Sequence, residues 1–204
     1  MRLFHYHLVT SMVRPVEERY LAKLGFELVA RYGYLGEEVV GFEPGFSWED
    51  LDARGFRLRL VELQRGAVNV VVQPGQWELP PRVDHVGIAL EDEPYLEVIG
   101  RATMLGRGVQ QHGGRRTFVA TEAGYRLEIH PRRDWIDELL ARDDVLALRE
   151  LRLRAEDPER KALALAELLG LEPDDGSVAI GDAVVTFTPG GPKGRPELEA
   201  ELFG

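Results

Sequence analysis

The chain has 204 residues, of which 44% are hydrophobic, and a formal net charge of -10. Its basic residues are scattered, whereas phosphate binding needs a concentrated basic face, so we expect neither a nucleic-acid nor an anionic-membrane partner. Cysteine is absent, which excludes disulfides and thiolate metal ligands. We expect a small-molecule or protein partner and, since no apolar run suits a membrane span or a signal peptide, a cytoplasmic location.

The first predicted unit covers residues 1–76. It begins with a strand at FHYHLVTS and a helix at RPVEERYLAKLG, whose Pro15 suits the first turn and whose Gly25 suits the C-terminal cap. Four strands are predicted next, at FELVARYG, EEVVGFE, FRLRLVEL and AVNVVVQ. Pro74 then closes the unit.

The second predicted unit covers residues 82–131 and follows the stiff linker WELPPR. Its strand DHVGIALED, helix PYLEVIGRATMLG and strands at GVQQH, RTFVAT and GYRLEIH repeat the order of the first unit. A helix in DWIDELLAR, with Asp134 as its predicted cap, leads to a third, shortened unit with a C-terminal tail at 147–204.

The three units share one register. Each helix ends in Leu-Gly, and that glycine lies 20 or 21 positions after a residue in the middle of the first strand, namely His5, His85 or Glu150. Each last strand ends at a proline. Matched endings at matched spacing favour duplication over chance patterning.

This βαβββ pattern resembles the vicinal oxygen chelate superfamily, which includes glyoxalase I, bleomycin-resistance proteins and extradiol dioxygenases. The resemblance covers nearly the whole chain, and its most specific parts are HYHLVTSMVRPVEERYLAKLGF, DHVGIALED and EAGYRLEIHP. It implies an α+β fold in which two units sit edge to edge, so that a curved mixed sheet encloses a cup with the helices outside. In that superfamily the metal ligands come from the first and last strands of the units.

Side-chain alternation predicts which residues face the cup. The residues predicted to face the helices are all apolar: Val68, Val70, Val72, Val86, Ile88, Leu90, Tyr125, Leu127 and Ile129. The polar residues predicted to face the cup are His5, His7, Asn69, Gln73, His85, Arg126, Glu128 and His130.

Three cup-facing residues, His5, His85 and Glu128, fall at ligand positions of the superfamily, and the resemblance implies that they hold one metal ion. The fourth ligand of glyoxalase I-like sites would come from position 71, where Val71 cannot coordinate a metal. Two imidazoles and one carboxylate form the facial triad typical of non-haem Fe(II), which leaves positions open for substrate and O₂. Fe(II) is therefore the favoured ion, with Zn, Mn and Ni as alternatives.

Three further histidines are candidate catalytic residues. His7 and His130 lie two positions beyond ligand positions and could act as acid/base groups, although solvated rim residues are an equal alternative. His112 loosely resembles the proton-transferring His of extradiol enzymes, about one residue out of register. Its alternative is an ordinary loop histidine.

Arg126, Asn69 and Gln73 are the candidate substrate contacts. The guanidinium of Arg126 offers bidentate hydrogen bonds to a catecholate or carboxylate, and its alternative is an internal ion pair. The expected substrate is a catechol-like compound or another compound with vicinal oxygens.

Several functions fit these residues. The favoured one is an extradiol, ring-cleaving dioxygenase. The alternatives are a glyoxalase-like isomerase or lyase with another divalent metal, a non-catalytic binding protein like the bleomycin-resistance proteins, and an interaction scaffold without a site. The third unit has no ligand set and no partner unit, which predicts pairing with the same unit of a second chain in a homodimer.

Overall fold

One curved mixed sheet dominates the α+β structure. The computed structural model describes residues 1–113, 116–133, 135–141 and 146–204, and fourteen strands in these ranges join into a sheet that does not close. No helix within these ranges has the length and apolar character needed to cross a bilayer. The predicted cap Asp134 lies outside the described residues.

The first part of the chain contains every predicted strand and one helix that local periodicity did not predict. That helix begins at a capping box. The Ser47 side chain accepts a hydrogen bond from the Asp50 backbone N–H, and the Asp50 side chain accepts one from the Ser47 backbone N–H. The elements are β1 (Arg2–Thr10), α1 (Val13–Glu18, continued by the π-helical turn Arg19–Lys23), β2 (Glu27–Leu35), β3 (Glu38–Phe42), α2 (Trp48–Ala53), β4 (Arg57–Arg65) and β5 (Val68–Pro74).

The rest of the chain follows the same plan twice. Its last long helix is capped by the Asp157 side chain, and it ends at Gly170, whose φ of 70° is the left-handed conformation that glycine adopts without strain. The elements are β6 (Arg82–Leu90), α3 (Asp92–Met104), β7 (Val109–His112), β8 (Arg116–Ala120), β9 (Arg126–Pro131), α4 (Trp135–Leu140), β10 (Leu148–Arg154), α5 (Pro158–Leu169), β11 (Pro173–Asp174), β12 (Ser177–Ile180), β13 (Ala183–Thr188) and β14 (Glu197–Phe203).

One strand order recurs three times: β1-β5-β4-β2, β6-β9-β8-β7 and β10-β13-β12-β11. In each set the strand that comes first in the chain pairs in parallel with the strand that comes last in the chain, and the helix and strands between them make the crossover that parallel pairing requires. The first two sets join along β1 and β6, which run antiparallel with His7 opposite His85. The edge-to-edge arrangement that the resemblance implied is therefore present.

The predicted alternation holds along these strands. All the residues predicted to face the helices are buried in the main core, together with apolar residues of α1, α3 and α5. Burying a Val, Leu or Ile side chain contributes about 1.5–3 kcal/mol. This burial fixes which face of each strand is left for the cup.

Two β-bulges modify the alternation in β1 and β6. Phe4 is the extra residue between two β1–β6 pairs, and Asp84 is the extra residue on β6. A bulge re-aims the side chain next to it. Phe4 therefore joins His5 on the cup face, and Asp84 lies beside His85, with which it forms a hydrogen bond.

Helix α4 departs from the expectation that all helices pack outside. Its residues Ile136, Leu139 and Leu140 form a separate small core with Phe4 and Ala89 on the cup side of the sheet.

Strand β14 covers the first strand of the third set. It runs antiparallel to β10, with Leu151 opposite Glu201 and Leu153 opposite Leu198. The sequence analysis assigns no strand to this acidic tail, although ELEAELF alternates polar and apolar residues as a half-buried strand does. The predicted homodimer depends on a free edge of β10. That edge is instead paired with β14 of the same chain.

Candidate metal centre

Three side chains from three strands converge where β1 meets β6. His5 Nε2 lies 3.1 Å from His85 Nε2 and 3.7 Å from Glu128 Oε2, and His85 Nε2 lies 2.9 Å from the same oxygen. All three residues are buried. We call His5, His85 and Glu128 the triad.

The hydrogen bonds of His5 fix its tautomer. Its Nδ1 lies 2.7 Å from Asn69 Oδ1, and the Asn69 amide N–H donates to Glu62 Oε1 at 2.9 Å. Because an amide oxygen only accepts, His5 Nδ1 carries the hydrogen and Nε2 presents a lone pair. Burial lowers the pKa of His5 to about 4 against the opposing charge of Glu128, so the ring is neutral near pH 7.

His85 is held in the same tautomer by the carboxylate next to it. Its Nδ1 donates to Asp84 Oδ2 at 2.9 Å, which leaves Nε2 facing Glu128. Burial lowers the pKa of His85, but the hydrogen bonds to the two carboxylates outweigh it, and the net shift is upward. The cluster thus attracts a cation, either a proton or a metal ion.

The separations within the triad fit one divalent ion. A circle through three atoms at these separations has a radius of about 1.9 Å, so a single point lies about 2.1 Å from all three, within the usual range for His nitrogen and carboxylate oxygen ligands. Without a metal, the raised pKa of His85 favours a hydrogen on its Nε2, which donates to Glu128 Oε2. A metal ion bound by His5, His85 and Glu128 would replace this proton.

Glu128 is oriented by two further side chains. His130 Nε2 lies 3.1 Å from Glu128 Oε1, and Arg116 Nη1 lies 3.4 Å from the same oxygen. Burial raises the pKa of Glu128, but hydrogen bonds from His130 and His85 lower it far more, so the side chain is a carboxylate. Its other oxygen, Oε2, is the one turned towards the triad histidines.

His7 lies beside the triad with an unsatisfied nitrogen. Its ring centroid is 4.6 Å from that of His85, and its Nε2 is buried with no hydrogen-bond partner in the described part of the chain. One ring nitrogen of each of His5, His7 and His85 lies within 4.8 Å of the others. Burial lowers the pKa of His7 to about 3, so its ring is neutral.

A cavity of about 230 Å³ opens onto the triad. Side chains from β1, β2, β4, β5, β6, β8 and β9 line it, as expected of the concave face of a strongly curved sheet. Phe4, Tyr32 and Trp135 supply aromatic surface, Arg116 supplies positive charge, and Val71 lies at the position equivalent to Glu128.

The predicted substrate contacts have protein partners. Arg126 pairs with Asp84, the internal ion pair that was its alternative. Asn69 bridges His5 and Glu62, and Gln73 hydrogen-bonds to the His7 ring.

Of the predicted catalytic histidines, His130 is buried against Phe4 and Trp135, with ring centroids 5.5 and 5.1 Å away. His112 is exposed at the end of β7, and its ring lies 5.7 Å from that of Phe118, which in turn contacts the His85 ring. His130 is therefore next to the triad, whereas His112 is at the rim.

Sequence reasoning missed Asp84, Arg116 and Arg195. Strict alternation places Asp84 on the helix side, and only the bulge brings it to His85. Arg195 lies far along the chain, and its Nη2 is 2.6 Å from Asp84 Oδ1. The DH pair at the start of DHVGIALED is the one local signal that a carboxylate could support this histidine.

No protein-family model and no curated protein matches the chain. Among solved structures it is similar to a variant of 4-hydroxymandelate synthase from Streptomyces coelicolor, with a TM-score of 0.64 and 15% identity over 99% of this chain and 70% of that one. It is also similar to a Mn(II)-bound glyoxalase from Novosphingobium aromaticivorans, with a TM-score of 0.58 and 13% identity over 98% and 64% of the two chains.

A variant of homoprotocatechuate 2,3-dioxygenase from Brevibacterium fuscum has a TM-score of 0.56 and 13% identity over 92% of this chain and 53% of that one. The chain thus spans between 53% and 70% of the length of these three proteins. At these identities the similarity concerns the fold. Together with the recurring strand order and the paired first strands, it shows that the chain has the fold of the vicinal oxygen chelate superfamily.

Proposed function

We propose that this protein is a metal-dependent enzyme of the vicinal oxygen chelate type, in which His5, His85 and Glu128 hold one divalent ion. The observation that carries the proposal is the convergence of three donor atoms within 3.7 Å of one another at the floor of a cavity. The Nδ1 of His5 is hydrogen-bonded to Asn69 and that of His85 to Asp84. A hydrogen bond from the second ring nitrogen is usual for an imidazole that binds a metal.

The favoured reaction is extradiol cleavage of a small aromatic diol, with insertion of both atoms of O₂ into the opened ring. Fe(II) bound by two imidazoles and one carboxylate would supply a template for diol and O₂ and a path for electrons between them. Val71 supports this choice, because the equivalent of the Glu128 position offers no fourth ligand.

The surrounding residues suit this substrate. Phe4, Tyr32 and Trp135 can pack against an aromatic ring and exclude water, and Arg116 can pair with a phenolate or carboxylate at the mouth. His130 would hold Glu128 in place and carry a proton on Nε2. His112 would exchange protons from the rim, and His7, Asn69 and Gln73 would support the floor of the site.

A second candidate function rests on His7. If His7 turns its unsatisfied nitrogen to the ion, the site has four protein donors, which suits a glyoxalase-like isomerase or lyase with Zn, Mn or Ni. The His7→Ala variant separates the two functions, because it would remove a donor from a four-donor site but only a neighbouring side chain from a three-donor site, whose metal affinity should fall far less.

The test of the favoured reaction starts from metal-free protein refilled anaerobically with Fe(II). Addition of catechol should produce a visible charge-transfer band, and admission of O₂ should consume one O₂ per ring opened. Protein refilled with Mn, Ni or Zn is the matched control, and it should be assayed with hemithioacetals. Fe(II)-loaded protein that binds no catechol would contradict the dioxygenase, and catechol binding without turnover would favour a binding protein.

We also propose that residues 1–76 and 82–131 act as two units that build the site, and that 147–204 is a third unit without a ligand set. Glu150 and Thr186, at the positions equivalent to His85 and Glu128, hydrogen-bond to each other at 2.9 Å. A homodimer stays a proposal and requires a surface other than the β10 edge. Light scattering that reports a monomer at micromolar concentration would reject it.

A further inference from the structure

The third unit reaches the candidate metal centre through one arginine. Arg195 lies between β13 and β14, and its Nη2 is 2.6 Å from Asp84 Oδ1. The other oxygen of Asp84, Oδ2, accepts from His85 Nδ1 and pairs with Arg126. Each oxygen of this buried carboxylate is therefore held, and Arg195 is the partner of Oδ1.

Asp84 depends on these cations because its side chain is only 6% exposed. A buried carboxylate is costly unless it is paired and hydrogen-bonded. With Oδ1 paired to Arg195 and Oδ2 to Arg126, Asp84 is held as an acceptor for the His85 Nδ1 hydrogen.

The segment that carries Arg195 is attached to the beginning of β6. The Val83 backbone N–H donates to Pro196 O at 3.0 Å, and the Leu198 backbone N–H donates to Pro81 O at 2.8 Å. The Arg195 guanidinium also lies 5.6 Å from the centre of the Trp77 ring. These contacts set where Arg195 meets Asp84, since both lie within three residues of the attachment.

We propose that Arg195 is a positioning residue, through which the third unit fixes Asp84 and thereby the tautomer and orientation of His85. The proposal rests on the metal site of the proposed function. It assigns a role to the third unit, which has no ligands of its own. The alternative is that Arg195 only attaches the C-terminal tail to β6 and has no effect on His85.

The test is a double-mutant cycle on Co(II) binding, followed by the visible absorption of the bound ion. Loss of a side chain that orients a metal-ligating histidine typically costs about 10–100-fold in affinity, so we expect about 10-fold for Arg195→Met and more for Asp84→Ala. The double variant should bind no more weakly than Asp84→Ala alone, because Arg195 acts through Asp84. Arg195→Lys should recover part of the loss.

Arg152→Met is the matched control. Arg152 is also an arginine of the third unit in an ion pair, with 44% of its side chain exposed against 38% for Arg195, but its partner is Glu150. It should leave Co(II) affinity and spectrum unchanged. If Arg195→Met binds Co(II) like the original protein, or if the losses add in the double variant, the proposal is overturned.

A second measurement does not require a metal. In metal-free protein at alkaline pH, ¹⁵N NMR of the imidazoles should show the hydrogen of His85 on Nδ1, and Arg195→Met should shift part of the population to the other tautomer. If the original protein binds no Co(II) or Fe(II), the proposed function fails, while this tautomer shift still supports the positioning role. An unchanged tautomer population in Arg195→Met would overturn that role.

Discussion

The Nε2 atoms of His5 and His85 lie 3.1 Å apart, although the two residues are 80 positions apart in the chain. Each ring holds its hydrogen on Nδ1, since Asn69 accepts from one ring and Asp84 from the other. The two Nε2 atoms are thereby left beside the Glu128 carboxylate, where a cation is stabilised, either the proton that His85 donates to Glu128 or a metal ion that replaces it.

Replacement of a triad residue should abolish metal binding. Loss of a side chain that only orients a metal ligand typically weakens metal binding about 10–100-fold. We expect His85→Ala and Glu128→Gln each to weaken Co(II) or Fe(II) binding by more than this, because a donor itself is lost. Added metal should raise the melting temperature of the original protein and not that of the variants. Glu150→Gln, at the position of the third unit equivalent to His85, is the control and should bind metal like the original protein. If Glu128→Gln binds metal as tightly as the original protein, Glu128 is not a ligand.

Gly87 makes room for the His5 ring. A Cβ at residue 87 would lie 2.7 Å from His5 Cβ, which is closer than atoms of these types approach. Gly87→Ala should therefore displace His5, cost about 1–3 kcal/mol of unfolding free energy and weaken metal binding. Gly100→Ala, in α3 with open space around it, should instead stabilise the protein by about 0.5–1 kcal/mol in urea unfolding. Equal stabilities for the two variants would contradict this assignment.

A carboxylate at position 71 should convert the three-donor site into a four-donor site. Val71 lines the cavity and is buried, so Val71→Glu should destabilise metal-free protein and bind Zn or Ni at least about 10-fold more tightly than the original. Any catechol cleavage should fall, since an open position is filled. Val71→Leu keeps three donors and serves as the control, and unchanged metal affinity in Val71→Glu would show that residue 71 does not reach the ion.

Arg116 and Arg126 should differ in what they affect. Both guanidinium groups lie over the Phe118 ring and both side chains are about half exposed, but Arg126 pairs with Asp84, whereas Arg116 faces the cavity and lies 3.4 Å from Glu128 Oε1. With metal at saturating concentration, we expect Arg116→Met to weaken binding of an anionic diol about 10-fold, as the loss of a charged hydrogen bond of about 1.5 kcal/mol would. Arg126→Met should mainly weaken metal binding. Reversed effects on diol and metal would refute this distinction.

Much of the site follows from local pattern, because strand side chains alternate with a period of two and the units share one register. The apolar residues Val86, Ile88 and Leu127 identify the helix face, which leaves His85 and Glu128 for the cup. The sequence by itself therefore predicted most strands and helices and the buried faces, whereas the convergence of the triad was implied by the resemblance to the superfamily.

The tertiary structure decided what supports the triad. The bulge that turns Asp84 to His85, the attachment that delivers Arg195, and the pairing of β14 with β10 all join segments that are distant in the chain. Arg126 likewise pairs with Asp84 rather than facing a substrate. Periodicity carries no information about such contacts, because they depend on which distant groups meet once the sheet has curved and which buried charges must then be paired.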